Sequence, residues 1–194
     1  MNQLSEEREM LRSLIKSRRA YRALKPAEIS QDQIEEIIEF IKLAPSCFNN
    51  QPWRFVFIQD EKLQEIYPTL NKGNLWAKNG SMIVAVFSKA KYDCQIKERE
   101  PYFMFDTGMA TAYLILLLTE LGLIAHPIAG FDPIQVKEIL HIPADMSLIT
   151  LIVVGKHTTF FPVEMNEKQR NSEGQRPLRK KPEEFAFFNE YSGE

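Results

Sequence analysis

Ala44-Pro45-Ser46-Cys47-Phe48-Asn49-Asn50-Gln51-Pro52-Trp53-Arg54-Phe55 is the stretch that decides how this chain reads. On its N-terminal side, Ile34, Ile37, Ile38 and Ile41 form one apolar stripe at helical spacing. Ser30 and Gln33 open that helix with the spacing of a capping box. On its C-terminal side, Phe55-Val56-Phe57-Ile58 reads as a strand. Pro45 stops the helix, because a proline ring clashes with the preceding turn and offers no N–H. Pro45 and Pro52 also narrow the shapes open to the loop, and Trp53 can anchor it to a core. An ordinary turn with amides bonding locally would account for Asn49 and Asn50. It does not account for the prolines, the serine and the tryptophan beside them. Loops held between rigid elements are where binding sites tend to lie.

Outward from this loop the pattern continues. Met10, Leu11, Leu14 and Ile15 predict a first helix over about residues 6–16, with Ser17-Arg18-Arg19-Ala20-Tyr21-Arg22 at its end. A short helix is expected over about residues 61–70, then a more buried strand, Met82-Ile83-Val84-Ala85-Val86-Phe87. Residues 103–121 predict a long helix, apolar almost all round through Met109, Ala112, Tyr113, Leu116, Leu117 and Leu121. Such a helix lies in a large core or a subunit interface. Asp132-Pro133 is a strong helix start, and residues 148–154 form a strand expected to end at Gly155. Beyond Gly174 the chain is polar and lacks periodic apolar positions. The order of elements predicts an α+β fold, one mixed sheet with helices packed on it. No linker divides it, so residues 1–174 read as a single domain and residues 175–194 as a C-terminal arm.

Bulk properties narrow the function. The chain has 194 residues, 44% of them apolar, which suffices for a real core. A net charge of -2 argues against a general nucleic-acid binder. The charged start is no signal peptide, and the longest apolar run, Tyr113 to Leu118, is too short to span a bilayer. Cys47 and Cys94 are too few and too far apart for a disulfide framework or a zinc site, so a cytoplasmic compartment is the default. No Gly-x-Gly-x-x-Gly follows a strand, which leaves no Rossmann site. His126, next to Pro127, is a candidate proton donor or a structural histidine; His141 and His157 have no partners at metal-ligand spacing.

Arg18, Arg19 and Arg22 form a dense positive patch. Guanidinium forks suit phosphate. Equally, basic residues favour the negative end of a helix dipole and can simply be solvated there.

Three segments together carry a resemblance: the arginine cluster, the Pro45–Trp53 loop, and Gly122-Leu123-Ile124-Ala125-His126-Pro127-Ile128-Ala129-Gly130-Phe131-Asp132. In order and spacing they resemble the FMN-dependent nitroreductase family, over about residues 14–179. The resemblance implies a nitroreductase-like three-layer α+β fold, with a mixed, mainly antiparallel sheet flanked by helices. It also implies an intertwined homodimer with the long helix at its centre. Arg18 and Arg19 match the phosphate-gripping positions, and Arg22 the residue beside flavin N1 and O2, where a fixed cation favours the reduced ring. Pro45, Ser46, Asn49, Gln51, Pro52 and Trp53 match a family loop that reaches the FMN bound mainly by the other subunit. Ile128, Ala129 and Gly130 fall where backbone amides meet N5 and O4, with Gly130 allowing close approach. Asn74 matches an amide near O2, and Trp76 stands near a position that is basic in some relatives, a change expected to shift substrate choice toward aromatics. Arg179 matches a late basic residue on the phosphate, with Arg176 and Lys180 as rivals. Either Tyr102 or Phe103 would border a substrate lid.

The chain departs from the family at three of these positions. Ala20 replaces a serine and removes one hydroxyl contact. Cys47 replaces a second serine; it reads as a small half-buried residue or, with no resolving cysteine nearby in sequence, less readily as a redox thiol. Ala129 stands where many members carry Glu, so only a backbone role survives. The implied function is an FMN-dependent NAD(P)H oxidoreductase. NADH or NADPH would reduce the flavin at N5 and leave, and a nitroaromatic, quinone or similar acceptor would follow in a ping-pong cycle. No side chain is expected to be an essential acid or base. Two alternatives remain at this stage. One is a flavin-binding protein of the same fold that dehalogenates, degrades or stores flavin; the other is a plain α+β interaction protein.

Overall fold

The computed structural model describes residues 3–94 and 100–193. Its core is a five-stranded sheet built round one long strand. The strands are β1 (Leu24–Lys25), β2 (Arg54–Ile58), β3 (Met82–Ser88), β4 (Ile124–Ile128) and β5 (Ser147–His157). β5 pairs with β3 on one edge and with β4 on the other; β2 continues beyond β3, and β1 adds to the far end of β5. All of these ladders are antiparallel. β5 therefore runs through Gly155 instead of ending there. A side chain at Gly155 would press on the Cα of Gly80 at 3.2 Å and the carbonyl of Lys25 at 3.3 Å, so glycine is retained for close packing and not as a strand end. Neither β1 nor β4 was expected from the sequence. β4 contains Pro127, which cannot donate to a ladder, and accordingly it lies at an edge, paired with β5 alone.

Helices cover both faces. They are α1 (Gln3–Ser17), α2 (Gln31–Ile41), α3 (Glu61–Ile66), α4 (Tyr102–Glu120), α5 (Pro133–Ile139) and α6 (Glu167–Glu173). β3 is buried along its whole length, and its side chains alternate between two cores. Met82, Val84 and Val86 face Ile34, Ile37 and Ile41 of α2 and Ala110, Leu114 and Leu118 of α4. Ile83 and Ala85 face Leu63 and Ile66 of α3, Trp76, and Val136 of α5. This makes three layers, helix–sheet–helix. α2 opens with the expected capping box, Ser30 and Gln33 each bonding the other's backbone N–H. Asp132 caps α5 through the N–H groups of Ile134 and Gln135. The helix expected over 61–70 is α3 followed by a 3₁₀ turn, Tyr67–Thr69.

α4 is long and apolar enough to cross a membrane by length and composition alone. Here it packs against α2, β3 and β4. One side of it is buried (Phe103, Asp106, Thr107, Ala110, Leu114, Leu118), while Tyr102, Met104, Phe105 and Tyr113 stay exposed. α6 was not anticipated. Its start is a second capping box, Asn166 with Gln169, set in a polar segment without an apolar stripe. After it, residues 175–193 are irregular apart from a 3₁₀ turn at Pro182–Glu184, and nearly all are exposed.

Candidate functional site

The end of α1 delivers Arg18, Arg19 and Arg22 into a knot tied by α6. The Glu173 carboxylate is buried and accepts from the N–H of Arg22 at 2.9 Å and of Ala23 at 3.2 Å. Arg19 Nη2 donates to the carbonyls of Ser172, Glu173 and Gln175 at the end of α6. Its guanidinium lies 4.5 Å over the Tyr21 ring, which in turn stacks on His157 at 3.9 Å. Arg19 thus holds α6 in place. Arg22 Nη1 makes one long contact to Ser172 Oγ, at 3.5 Å. Arg176 donates to the carbonyls of Lys16 and Arg18.

Arg18 is half-buried, like Arg19 and Arg22, in a crowd of cations. Burial, and then the charges of Arg176, Arg179 and Arg19, hold its guanidinium below the usual arginine range. An anion of high charge is what such a group accommodates. Two of the three rivals for the late basic position, Arg176 and Arg179, are thereby close to Arg18. Arg176 is occupied with backbone carbonyls, and Arg179 is exposed. Ala20 is also exposed.

β4 joins this group to a second one. His126 donates or accepts through Nδ1 at 3.0 Å from the Tyr21 carbonyl; because a carbonyl only accepts, Nδ1 carries the hydrogen. Its ring packs against Trp76 at 4.6 Å. Burial, with help from the charges of Arg22 and Arg18 and against the pull of the Tyr21 carbonyl, lowers its pKa to about 4. A neutral, tethered imidazole is a brace and not the proton donor considered from the sequence. Trp76 is fully buried against it, with Nε1 bonded to the Gly73 carbonyl, so it cannot select substrates as expected.

Two residues beyond Ile128, the carbonyl of Gly130 accepts from Asn74 Nδ2 at 2.9 Å and from the N–H of Asn71 at 3.1 Å. A Cβ on Gly130 would fall 2.7 Å from Asn74 Nδ2. The glycine keeps this cradle open, as a close backbone approach requires. Ile128 is buried, its carbonyl bonded by Thr150, and Ala129 is exposed. Arg18, Arg22, His126, Asn74 and Gly130 therefore share one continuous region of the fold.

The Pro45–Gln51 loop lies elsewhere on the chain. Phe48, Asn49 and Gln51 all have positive φ, at 49°, 57° and 47°. Such backbone persists only where neighbours enforce it, and it clusters at ligand sites. Ser46 Oγ accepts from the Gln51 N–H, Gln51 Nε2 donates to Asn49 Oδ1, and Arg54 bonds the Gln51 carbonyl. The Cys47 N–H donates at 3.0 Å to Oδ2 of Asp106, a fully buried carboxyl on α4. Pro45 and Phe48 are exposed, Phe48 at 81%. None of these contacts runs to the arginine group. Of the two residues before or in α4 proposed for a lid, Phe103 is buried and Tyr102 is exposed beside Phe105.

Cys47 is also joined to Cys94 in a disulfide, with Cα atoms 5.8 Å apart. The sequence reading treated the two as unrelated; spacing along the chain hides a pair that the fold brings together. Asp106 and Glu173 were missed as well. The Asn166–Gln169 capping box was the one available signal for α6 and hence for Glu173.

The model of the nitroreductase family matches residues 15–101 and 70–156. The chain belongs to that family. Among nitroreductase relatives, it is 24% identical over 180 residues to an oxygen-insensitive NADPH nitroreductase of Helicobacter pylori, covering 75% of this chain and 84% of that one. It is 26% identical over 174 residues to the iodotyrosine deiodinase of Thermotoga neapolitana, covering 75% and 88%. A solved structure described as an oxidoreductase containing FMN superposes with a TM-score of 0.79 at 26% identity, over 93% of this chain and 92% of that one. The three-layer architecture built above is thus the nitroreductase fold.

Proposed function

We propose that this nitroreductase is an FMN-dependent NAD(P)H oxidoreductase, a cytoplasmic homodimer that reduces nitroaromatics, quinones or similar electron-poor acceptors. The observation that carries the reading is the half-buried Arg18 guanidinium, crowded by Arg176 and Arg179 and lacking an anionic partner among the described residues. It lies in the same region as Gly130, whose carbonyl is held by Asn71 and Asn74 and whose Cα has no room for a side chain. A dianionic phosphate and a flat heterocycle edge fit that pair of features. The FMN-containing neighbour supports the same cofactor.

Arg18 and Arg179 would hold the phosphate, with Arg176 and Arg19 keeping their segments in register. Arg22 would lie at the ring's polar edge, and its cation would favour added negative charge there. Asn74, together with the backbone of Ile128, Ala129 and Gly130, would orient the ring. FMN supplies hydride acceptance and donation at N5 when bound. Ser46, Asn49 and Gln51 would complete the site of the other subunit, since their loop is remote from the arginines of its own chain. His126 is neutral near pH 7 and braces Tyr21 and so the arginine segment. Residues 1–174 would form the FMN-binding domain, and residues 175–194 an arm over the partner. Purified protein should show a flavin spectrum that bleaches within seconds of anaerobic NADH or NADPH. Arg22→Ala should weaken FMN binding or lower the flavin potential, and a variant equal to the parent in both would sink the assignment.

A second reading keeps FMN and changes the acceptor. The likeness to a deiodinase favours reductive dehalogenation, with flavin breakdown or storage as further uses of the fold. Turnover of a halogenated phenol, with no turnover of nitroaromatics or quinones, would move it to the front.

A further inference from the structure

The two cysteines of this chain meet beside the loop assigned above to the flavin. Cys47 follows Ser46 and precedes Phe48 and Asn49, the first two residues with positive φ. Cys94 is buried. Next to it, Asp93 Oδ2 accepts from the N–H of Phe103 at 2.8 Å and ties this segment to the first turn of α4. One turn further along α4, Asp106 takes the Cys47 N–H with Oδ2, while its Oδ1 is buried without a hydrogen-bond partner. The flavin loop is therefore fastened at two points: by one hydrogen bond to the buried carboxyl of Asp106 on α4, and by one covalent bond, which can be opened, to Cys94, whose neighbour Asp93 bonds the first turn of α4.

We propose that Cys47–Cys94 is a reversible thiol–disulfide site whose redox state sets the shape of the flavin loop and hence the affinity for FMN. Its co-substrates are dithiols and their disulfides. The proposal rests on the reading of the Pro45–Gln51 loop as part of an FMN site. In a reducing compartment a crosslink of this kind is transient and redox-sensing, not a structural staple.

The exchange follows from the unequal burial of the two sulfurs. Cys47 is half-buried and Cys94 is buried, so an incoming dithiol's thiolate reaches Cys47 Sγ. The S–S bond breaks, and Cys94 leaves as a thiolate and takes a proton. The dithiol's second thiol then displaces Cys47 from the mixed disulfide. Two electrons and two protons pass to the protein, giving two cysteine thiols, and the dithiol departs as a disulfide. The reverse reaction uses a disulfide of the same class.

The direction of the coupling comes from the backbone. Left-handed conformations at Phe48, Asn49 and Gln51 need surroundings that enforce them. With the crosslink open, the Asp106 hydrogen bond must hold Cys47 to α4 alone, and the loop can relax. The oxidised loop is the preorganised one and binds FMN more tightly. By linkage, FMN must then favour the disulfide by the same factor.

The test uses full-length protein stripped of FMN and equilibrated with mixtures of reduced and oxidised dithiothreitol. Free thiols are counted by alkylation and mass spectrometry, and FMN affinity is read from quenching of its fluorescence. The oxidised form should bind FMN about tenfold or more tightly than the reduced form. Saturating FMN should shift the thiol–disulfide midpoint toward disulfide by that factor. Cys94→Ala and Cys47→Ser should both show the reduced form's affinity in every mixture. Equal affinities of oxidised and reduced protein would overturn the proposal, as would two thiols that never join. If neither redox form nor either variant takes up FMN, the flavin reading fails and the coupling with it.

Discussion

A buried imidazole between an indole and two guanidinium groups has its charge state decided for it. His126 titrates at about 4 instead of 6.5, chiefly because burial disfavours the imidazolium. The unfolded chain binds this proton below about 6.5, and the native one only below about 4. Its contribution to stability is therefore whole above pH 6.5 and is lost as pH falls from 6.5 to 4. At about 1.4 kcal/mol per pH unit the loss comes to about 3–4 kcal/mol. Urea unfolding of parent and His126→Asn across this range should show the acid-side slope flattened in the variant. Equal slopes would mean that the native imidazole is charged. Gly130 offers a second test at this scale. In Gly130→Ala the new methyl would lie 2.7 Å from Asn74 Nδ2, so the Asn74 side chain must swing away from the Gly130 carbonyl. Loss of one hydrogen bond and of the open cradle should weaken FMN binding about tenfold, about 1.4 kcal/mol. A fluorescence titration giving the parent's affinity would remove Asn74 and Gly130 from the site.

Among the elements, α6 does the most for its length. Seven residues long, it carries the buried Glu173 and presents the carbonyls that Arg19 bonds. Glu173→Ala would leave the N–H groups of Arg22 and Ala23 without their acceptor in a dry setting. Stability should drop by about 2 kcal/mol, seen as a lower urea midpoint, and FMN affinity should drop with it because Arg18 and Arg22 lose their frame. A stability loss without any loss of affinity would show that α6 supports the fold only. This element also marks where the sequence stopped being readable. α2 and α5 announced themselves through caps and, in α2, an apolar stripe; β3 did so through an unbroken apolar run. α6 buries one carboxylate instead of a stripe, so apolar periodicity was silent about it. β4 was obscured by Pro127, and β1 is two residues long and owes its pairing to β5. The arginine segment, Asn74 and Gly130 were all legible as motifs. The roles of Arg19 and Trp76 were not, because they depend on which neighbour each meets: Arg19 turns to α6 carbonyls, and Trp76 turns into the core. The Cys47–Cys94 pair belongs to the same kind, since only the fold brings residues 47 positions apart into contact.

For the whole molecule, the surface left uncovered bears on assembly. α4 buries one side in the core and exposes Tyr102, Met104, Phe105 and Tyr113; α1 exposes Leu4, Met10, Leu11 and Ile15. In the C-terminal segment Leu178 is fully exposed, and Phe185 and Phe188 are largely so. Scattered apolar residues on a surface need no explanation, but this many on two long helices fit the subunit interface proposed above. The separation of the Pro45–Gln51 loop from the arginine group gives the same surface a functional consequence. If the loop serves the partner's flavin, dimerisation and cofactor binding must rise and fall together. Placing charge on the exposed side of α4, as in Phe105→Glu combined with Tyr113→Glu, leaves the buried side of the helix untouched. Light scattering should then report a monomer, circular dichroism an intact fold, and the absorbance spectrum little or no bound flavin. A folded monomer that still holds stoichiometric FMN would show that each chain completes its own site, and would return Ser46, Asn49 and Gln51 to the role of a structural turn.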